Sequence, residues 1–287
     1  RLLPGLGGPH AGQRLCRESA RHRQQRGARP PGPAANAGVV PHRAGGRLPA
    51  AGLSRAPRAA VDLRRAVADR RPAGVDLLVA HHPLLLRGVT SIAEESLKGS
   101  ILSSALRGDL AIYSAHTNAD VVSGGVSDSL AKAFGLVDAL PLVAAGEPGI
   151  GHGRVGSLPA PTSLGAFAKL VAQNIPATAG GVKVSGNFNR RISKVAVLGG
   201  SGEGFIPAAT DSGADVFVTS DLRHHPSLDS AELTKIAGGP ALIDISHWAA
   251  EWVWLDNAKS QLENLIPQVK FVVSEINTDP WTFAVMQ

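Results

Sequence analysis

Short apolar runs alternate with amphipathic stretches along residues 72–287, a pattern that is typical of an α/β domain. The apolar runs predict strands over 75–80, 110–115, 194–198, 215–219, 241–245 and 270–274. Apolar side chains at helical spacing predict helices over 96–107, 126–134, 164–171 and 247–265. Apart from the helix over 164–171, the Gly- and Pro-rich stretch 136–191 predicts loops and edge strands.

Two pairs of these segments match each other. The sequence AGVDLLVA (73–80) matches SGADVFVT (212–219), and LAIYSAHTNAD (110–120) matches ALIDISHWAAE (241–251). Because both matches recur in the same order, we expect two related α/β halves that face each other. We place lobe one at about 72–140, a connecting region at 141–191 and lobe two at 192–287.

Residues 1–71 differ in composition from the rest of the chain. They hold 15 of the 21 arginines, no lysine and three acidic residues, which gives +12; since the whole chain carries +6, the remaining 216 residues carry −6. With no Ile, Phe, Tyr or Trp, this leader buries too little apolar area to offset its ordering entropy. We expect it to be disordered, or translated out of frame from a GC-rich gene. A tail that binds nucleic acid or a membrane surface is a third interpretation.

The remaining composition narrows the class of protein. No apolar run approaches the roughly 18 residues that span a bilayer, and the first residues lack a signal-peptide pattern. The single cysteine, Cys16, excludes an internal disulfide and a cysteine-based zinc site. We therefore expect a cytoplasmic protein without a membrane partner, and the mildly acidic body gives no reason to propose nucleic-acid binding.

Histidines stand where the predicted strands end. His81 and His82 directly follow the strand over 75–80. Because adjacent side chains of an extended strand point in opposite directions, this pair suits two different ions, or one ion and one outer position. A lone histidine at a strand end is more often a satisfied polar residue than a ligand.

Both matched segments also end in His-x-x-x-acid, at 116–120 and 247–251. On a helix, positions i and i+4 lie on one face, with Cβ atoms about 5–6 Å apart. His247 and Glu251 can therefore point at one centre. An isolated motif of this kind is little better than chance, but its repetition together with the paired histidines favours a metal site, and the number of ligands suits two ions.

Several motifs together carry a family resemblance. They are LLVAHHPLLL (77–86), AHTNAD (115–120), GGVSDSLAKAFGL (124–136), VAVLGGSG (195–202), GADVFVTSDLRHHP (213–226) and LIDISHWAAE (242–251). Their order resembles that of the Nif-three-like family, also called GTP cyclohydrolase I type 2 homologues or dinuclear metal centre hexameric proteins. The resemblance covers residues 72–287. It implies two similar α/β lobes with a dinuclear metal site between them, assembled as a homohexamer.

The resemblance also implies a ligand set. By matching position, His81 and His82 each contact a metal, Asp120 binds one ion, His247 binds the other, and Glu251 touches both. His116 matches a residue close to the site, in an outer position or as an occasional ligand. The cofactors would be two divalent ions per subunit, of Zn, Fe, Mn, Co or Ni.

The function that follows is a metal-dependent hydrolase of the GTP cyclohydrolase type 2 kind. It would act on a small-molecule substrate, a nucleotide or another phosphate ester, through a water that bridges the two metals. His225 and Glu203 are candidates for the general acid or base. The alternative is a metal-binding hexameric assembly or regulatory protein without turnover.

Some signals are weaker. GGSGEG (199–204) after a strand resembles a phosphate-binding turn, although a plain tight turn is the commoner meaning of such a sequence. His152, Asp221 and Arg223 are minor candidates for the substrate side.

Overall fold

The computed structural model describes residues 74–286, and the leader predicted over 1–71 lies outside them. The described chain alternates strands and helices, as the apolar pattern predicts. The strands are β1 (Leu77–Ala80), β2 (Ala111–Ser114), β3 (Val137–Leu140), β4 (Val143–Ala144), β5 (Gly151–His152), β6 (Arg154–Ser163), β7 (Lys183–Ser185), β8 (Arg191–Ser201), β9 (Val216–Ser220) and β10 (Ala241–Asp244). The α-helices are α1 (Leu97–Arg107), α2 (Thr117–Asp120), α3 (Val126–Ala133), α4 (Leu164–Gln173), α5 (Ile206–Asp211), α6 (His224–Ala237), α7 (His247–Trp252) and α8 (Leu255–Leu265). A 3₁₀ turn, Glu203–Phe205, precedes α5.

Six strands form the main sheet, in the order β3-β6-β8-β9-β10-β7. Its centre is parallel: β8 pairs with β9, and β9 with β10. The flanking strands β6, β3 and β7 run antiparallel to their neighbours. β1 and β2 form a separate two-stranded parallel sheet, in which Leu77 lies opposite Ala111.

The matched sequence segments become matched strand pairs. We call β1 with β2 the first strand pair, and β9 with β10 the second strand pair. Both are parallel, and each places the later matched segment beside the earlier one. The mixed α/β architecture predicted from the sequence is confirmed.

The central strands are buried on both faces, which explains their nearly continuous apolar sequences. On one face Val218 and Ile243 pack with helices α3, α4 and α7, and on the other Phe217 and Leu242 pack near α5. The first strand pair has a smaller core of its own, built around Leu78 and Ile101. None of the helices in the described part of the chain is long and apolar enough to cross a membrane.

Three predicted elements differ from the structure. We expected loops and edge strands over 136–191 outside the helix; β3 and β7 are the edge strands of the main sheet, but β6 lies inside it, between β3 and β8. Pro159 and Pro161 cannot donate to the ladder, and they lie where the register between β6 and β8 shifts. The strand loses its usual sequence pattern at that point.

The other two differences are near the end of the chain. The helix predicted over 247–265 is divided into α7 and α8 around Val253 and Trp254, and Trp254 and Leu255 pack into a small core with Val126. The strand predicted over 270–274 is reduced to a single bridge at Val273, because its apolar residues do not pair along a neighbouring strand.

Candidate metal centre

The parallel strands deliver the candidate ligands to one place. His81 and His82 directly follow β1, and His116 follows β2 after one residue. His247 opens helix α7 shortly after β10. Side chains at the carboxyl ends of parallel strands commonly form binding sites, because the chain turns there and leaves the sheet edge open.

One group of possible ligands consists of imidazoles alone. The ligand atoms of His81, His82 and His116 all lie within 4.8 Å of one another. Their ring centroids are 5.1–5.3 Å apart. Three imidazoles so close together suit a borderline-soft divalent ion.

A second group shares His82 with the first. The ligand atoms of His82, His247 and Glu251 also lie within 4.8 Å of one another. Glu251 Oε1 is 2.7 Å from His247 Nε2, and Glu251 Oε2 is 3.3 Å from His82 Nε2. Glu251 thus contacts histidines of both groups, His81 as well as His82 and His247, which is the arrangement expected of a carboxylate that lies between two ions.

Asp120 lies beside the first group. Its Oδ1 atom is 3.5 Å from Nε2 of His81, whose Nε2 is also 3.3 Å from Glu251 Oε1. The five predicted ligands and His116 are thus brought together by the tertiary structure.

Local structure places the His247–Glu251 pair. Ser246 caps helix α7, accepting a hydrogen bond from the backbone N–H of Ala249 at 3.3 Å. Such a cap satisfies one of the donors that a helix start leaves open. Because the helix begins at His247, Glu251 lies one turn later on the same face, as the spacing predicts.

Two acceptors outside the groups orient the imidazoles. His81 Nδ1 donates to the carbonyl of Ala115 at 2.7 Å, and His247 Nδ1 lies 2.7 Å from Oδ2 of Asp221. A histidine that donates through Nδ1 presents the lone pair of Nε2 to a metal. Asp221 adopts a φ of +58°, an uncommon conformation for a residue other than glycine.

The importance of Asp221 had a signal in the sequence. When 73–80 is aligned with 212–219, Asp221 falls at the position of His82. The repeat thus places a polar residue after both strands, but the two residues differ in role. His82 is a candidate ligand, whereas Asp221 orients His247. No spacing rule connects Asp221 to His247, so the sequence offers it only as a minor candidate.

Two features of the structure fit a bound cation. Glu251 is buried, and its Oε2 makes no hydrogen bond within the described residues, although His82 Nε2 lies 3.3 Å away. Gly200, with φ +76°, passes close by: a Cβ there would be 2.9 Å from Glu251 Oε1 and 3.4 Å from His247 Nε2. The glycine keeps space free beside the carboxylate that a side chain would fill.

The charges of the groups depend on each other. Burial alone would raise the pKa of Glu251, but the imidazoles of His247, His81 and His82 hold it well below the usual range. Burial would lower the pKa of His247, whereas Glu251 and Asp221 raise it to about 9. Without a metal, His247 is therefore protonated at neutral pH, and its positive charge balances the negative charge of the Glu251 carboxylate.

The pKa of Asp120 shifts in the opposite direction to that of Glu251, and the pKa of His116 in the opposite direction to that of His247. Burial raises the pKa of Asp120, and the negative charge of Glu251 adds to this effect, while His81 opposes it. Burial lowers the pKa of His116, as do the nearby His81 and His82. Both shifts favour the neutral form of the side chain, and a neutral imidazole is the form that binds a metal.

A cavity of about 230 Å³ adjoins the ligands. Members of both groups line it, together with part of the GGSGEG segment. The lining residues are His116, Thr117, Asp120, Ser127, His152, Gly153, Leu198, Gly199, Gly200, Ser201, Phe205, His247 and Glu251. The site is therefore accessible to a small molecule from the side of β8.

The two predicted acid–base candidates lie elsewhere. Glu203 is paired with Arg223, accepting from its Nε at 2.8 Å and from its backbone N–H at 3.2 Å. His225 is exposed in the first turn of α6, beside the ring of His224. Neither is among the residues of the described chain that line the cavity.

Known proteins share this sequence and fold. The model of the family Duf34/NIF3 (NGG1p interacting factor 3) matches residues 57–280. A Streptomyces coelicolor protein named "GTP cyclohydrolase 1 type 2 homolog" is 40% identical over 216 residues, which are 73% of this chain and 74% of that protein. A Mycobacterium leprae protein of the same name is 30% identical and covers 77% of this chain and 84% of its own.

Solved structures agree on the fold. A Staphylococcus aureus protein, SA1388, superposes with a TM-score of 0.70 at 27% identity, covering 80% of this chain and 87% of that one. A Bacillus cereus protein related to NIF3 gives the same TM-score at 23% identity, with coverage of 80% and 89%. At that identity the second likeness speaks for the fold alone.

Proposed function

The chain belongs to the Duf34/NIF3 family, and we propose that it is a metal-dependent hydrolase acting on a nucleotide or another phosphate ester. The observation that carries this proposal is the pair of ligand groups that share His82 and adjoin one cavity. The name of its relatives, GTP cyclohydrolase 1 type 2 homolog, supports a nucleotide as the substrate class.

We propose two divalent ions per subunit, of Zn, Fe, Mn, Co or Ni. His81 and Asp120 would hold one ion, and His82 and His247 the other. Glu251 would contact both ions, and His116 would lie close to the first. Bound there, the ions would supply Lewis-acid polarisation of substrate oxygens and activation of water.

The residues of the chain contribute orientation and charge. The carbonyl of Ala115 and the carboxylate of Asp221 fix which nitrogen of His81 and His247 faces the ions. Glu251 is kept ionised by its imidazole neighbours, so that it stays available as an oxygen ligand. Gly200 leaves room for a ligand or substrate oxygen beside it.

Metal content and turnover together test the proposal. Reconstituted protein should hold about two ions per chain by mass spectrometry, and it should hydrolyse at least one member of a panel of phosphate esters, GTP and cyclic amides. Both properties should be lost in His82→Ala and Glu251→Ala, and kept in the control Glu275→Ala, which changes an exposed carboxylate.

The alternatives give different results. Fewer than about one ion per chain would contradict the dinuclear site. Two ions without turnover on any substrate class would favour a metal-binding assembly or regulatory protein. The homohexameric state and cytoplasmic location implied by the resemblance belong to the same proposal, and light scattering on the purified protein measures the first of them.

A further inference from the structure

We propose that His152 is the substrate-contacting residue of this site, donating a hydrogen bond to an oxyanion, most simply a phosphoryl oxygen, held beside the metal ligands. The inference rests on the proposed function, since it places the substrate in the cavity next to Asp120 and Glu251. It concerns a residue that belongs to neither ligand group.

The position of His152 sets it apart from the other histidines. It lines the same cavity as His247 and His116, and it is half-buried. His81 and His247 already donate through Nδ1 to Ala115 and Asp221. The ring nitrogens of His152 make no hydrogen bond with the described residues, so they are free to contact a molecule in the cavity.

The short strand that carries His152, β5, is held firmly by Arg154. This arginine is only 2% exposed, and its guanidinium pairs with the carboxylate of Asp128. It also donates to the carbonyls of Gly151 at 2.8 Å, Gly153 at 2.6 Å and Val122 at 3.0 Å. A buried guanidinium with this many acceptors fixes the backbone on both sides of His152.

The same contacts tie His152 to the metal ligands. The backbone N–H of Gly151 donates to the carbonyl of Val121 at 2.9 Å, and Val121 directly follows Asp120. Arg154 also binds the carbonyl of the next residue, Val122. Strand β5, which carries His152, and the end of helix α2, which carries Asp120, are therefore joined by a backbone hydrogen bond and by the buried guanidinium of Arg154.

The chain at His152 and Gly153 packs closely against β8, beside the cavity. Gly153 has φ +62°, and a Cβ there would be 2.9 Å from the carbonyl of Val197. The ring of Phe205 lies 5.5 Å from that of His152, centroid to centroid, and supports it from one side. With a close backbone on one flank and an aromatic ring on another, few ring positions remain for His152.

The surrounding chemistry indicates the class of ligand. Beyond the metal ligands, the polar side chains at the cavity are the hydroxyls of Thr117, Ser127 and Ser201 and the imidazole of His152. Hydroxyls and an imidazole can all donate hydrogen bonds, and bound divalent ions would add positive charge opposite them. An oxygen-rich anion such as phosphate suits this environment better than an amine.

The test separates substrate binding from metal binding. Metal-loaded wild-type protein, His152→Gln and His152→Phe would be compared for metal content by mass spectrometry and for binding of inorganic phosphate by calorimetry. The control is His224→Gln, because His224 is exposed on α6 and does not line the cavity.

We expect unchanged metal content in all variants. His152→Phe should raise the Kd for phosphate about tenfold or more, the usual effect of losing a hydrogen bond to a charged group. Glutamine retains an N–H donor, so His152→Gln should lose less, and His224→Gln should match the wild type.

Other results would overturn the inference. Wild-type affinity for phosphate in His152→Phe would do so while leaving the metal site and the hydrolase proposal intact. Loss of metal in both His152 variants would show that the residue supports the ligands and not the substrate. A wild-type protein that binds metal but no phosphate would remove the anion site, and one that binds no metal would remove the proposed function as well.

Discussion

The two strand pairs supply the site from very different surroundings. The second pair, β9 and β10, lies inside the six-stranded sheet, and its apolar side chains are buried on both faces. In the described part of the chain, the first pair stands as a two-stranded sheet with a smaller core. Yet both pairs deliver ligands to one site from the carboxyl ends of their strands, although the second pair is packed in a larger core than the first.

The difference extends to the orientation of the ligands. After the first pair, His81 is oriented by a backbone carbonyl, that of Ala115. After the second pair, His247 is oriented by a carboxylate, that of Asp221. A carboxylate makes its imidazole more basic and a stronger metal ligand than a carbonyl does. We infer that the second strand pair holds its ion more tightly than the first.

Filling the space beside His247 and Glu251 should have the largest effect on metal binding. Gly200→Ala would place a Cβ 2.9 Å from Glu251 Oε1 and strain a residue with φ +76°. We expect the metal content to fall from about two ions per chain to below one, with a cost to stability of about 1–2 kcal/mol. Mass spectrometry and thermal unfolding measure the two effects.

The same motif provides the control. Gly204 lies in GGSGEG too, but a Cβ there would meet nothing within 4 Å. Gly204→Ala should therefore keep both ions. If Gly200→Ala also kept both, the close approach of β8 to the site would have no bearing on metal binding.

Removing the carboxylate that orients His247 should weaken the binding of one ion. Asp221→Asn keeps the shape of the side chain but loses its charge, and changes to such outer partners typically cost about 10–100-fold in metal affinity. The affinity of the second ion should drop, while that of the first stays close to wild type. Stepwise titration with a chromophoric chelator measures both, and Asp229→Asn, an exposed residue of α6, serves as the control. If the affinities of both ions fell equally, the difference inferred between the two strand pairs would be contradicted.

The pH dependence of metal binding should show the same asymmetry. Against the effect of burial, Glu251 and Asp221 raise the pKa of His247 to about 9, so the metal-free protein keeps a proton there at neutral pH. A metal must displace this proton, and its apparent affinity should rise about tenfold per pH unit from pH 7 and level off above about pH 9. Chelator competition across this range checks the rise, which should level off at a lower pH in Asp221→Asn, because the loss of the carboxylate lowers the pKa of His247. An affinity independent of pH would show that His247 is not a ligand.

The smallest effect compares the two cores directly. Ile112 in β2 and Ile243 in β10 occupy matching positions of the repeat, but Ile243 is fully buried and Ile112 only partly. Ile243→Val should lower the free energy of unfolding by about 1 kcal/mol, and Ile112→Val by about half of that or less. Urea denaturation measures both. Equal losses would mean that the first strand pair is as well packed in solution as the second.

Much of the site was accessible from the sequence. The repeat predicted which strands are related, and the strand exits and the His-x-x-x-acid spacing selected the side chains that the structure brings together. These signals are local: apolar periodicity reports one segment, and the i to i+4 spacing reports one helical face. They succeed where a ligand lies within a few residues of an element boundary, as His82 and Glu251 do.

Other features depended on contacts between distant segments. Three such contacts join residues from separate elements. They are the hydrogen bond between His247 and Asp221, the close approach of Gly200 to Glu251, and the hydrogen bonds of Arg154 to the backbone around His152. No periodicity encodes such contacts, because they depend on how the strands are ordered and registered in the sheet. β6 shows the same limit within one element, since its prolines conceal a strand that only its neighbours stabilise. The sequence by itself thus determined the strand pairs and the candidate ligands that follow them. Only the tertiary structure decided how those ligands are oriented and which other side chains share their cavity, because both depend on contacts between distant segments.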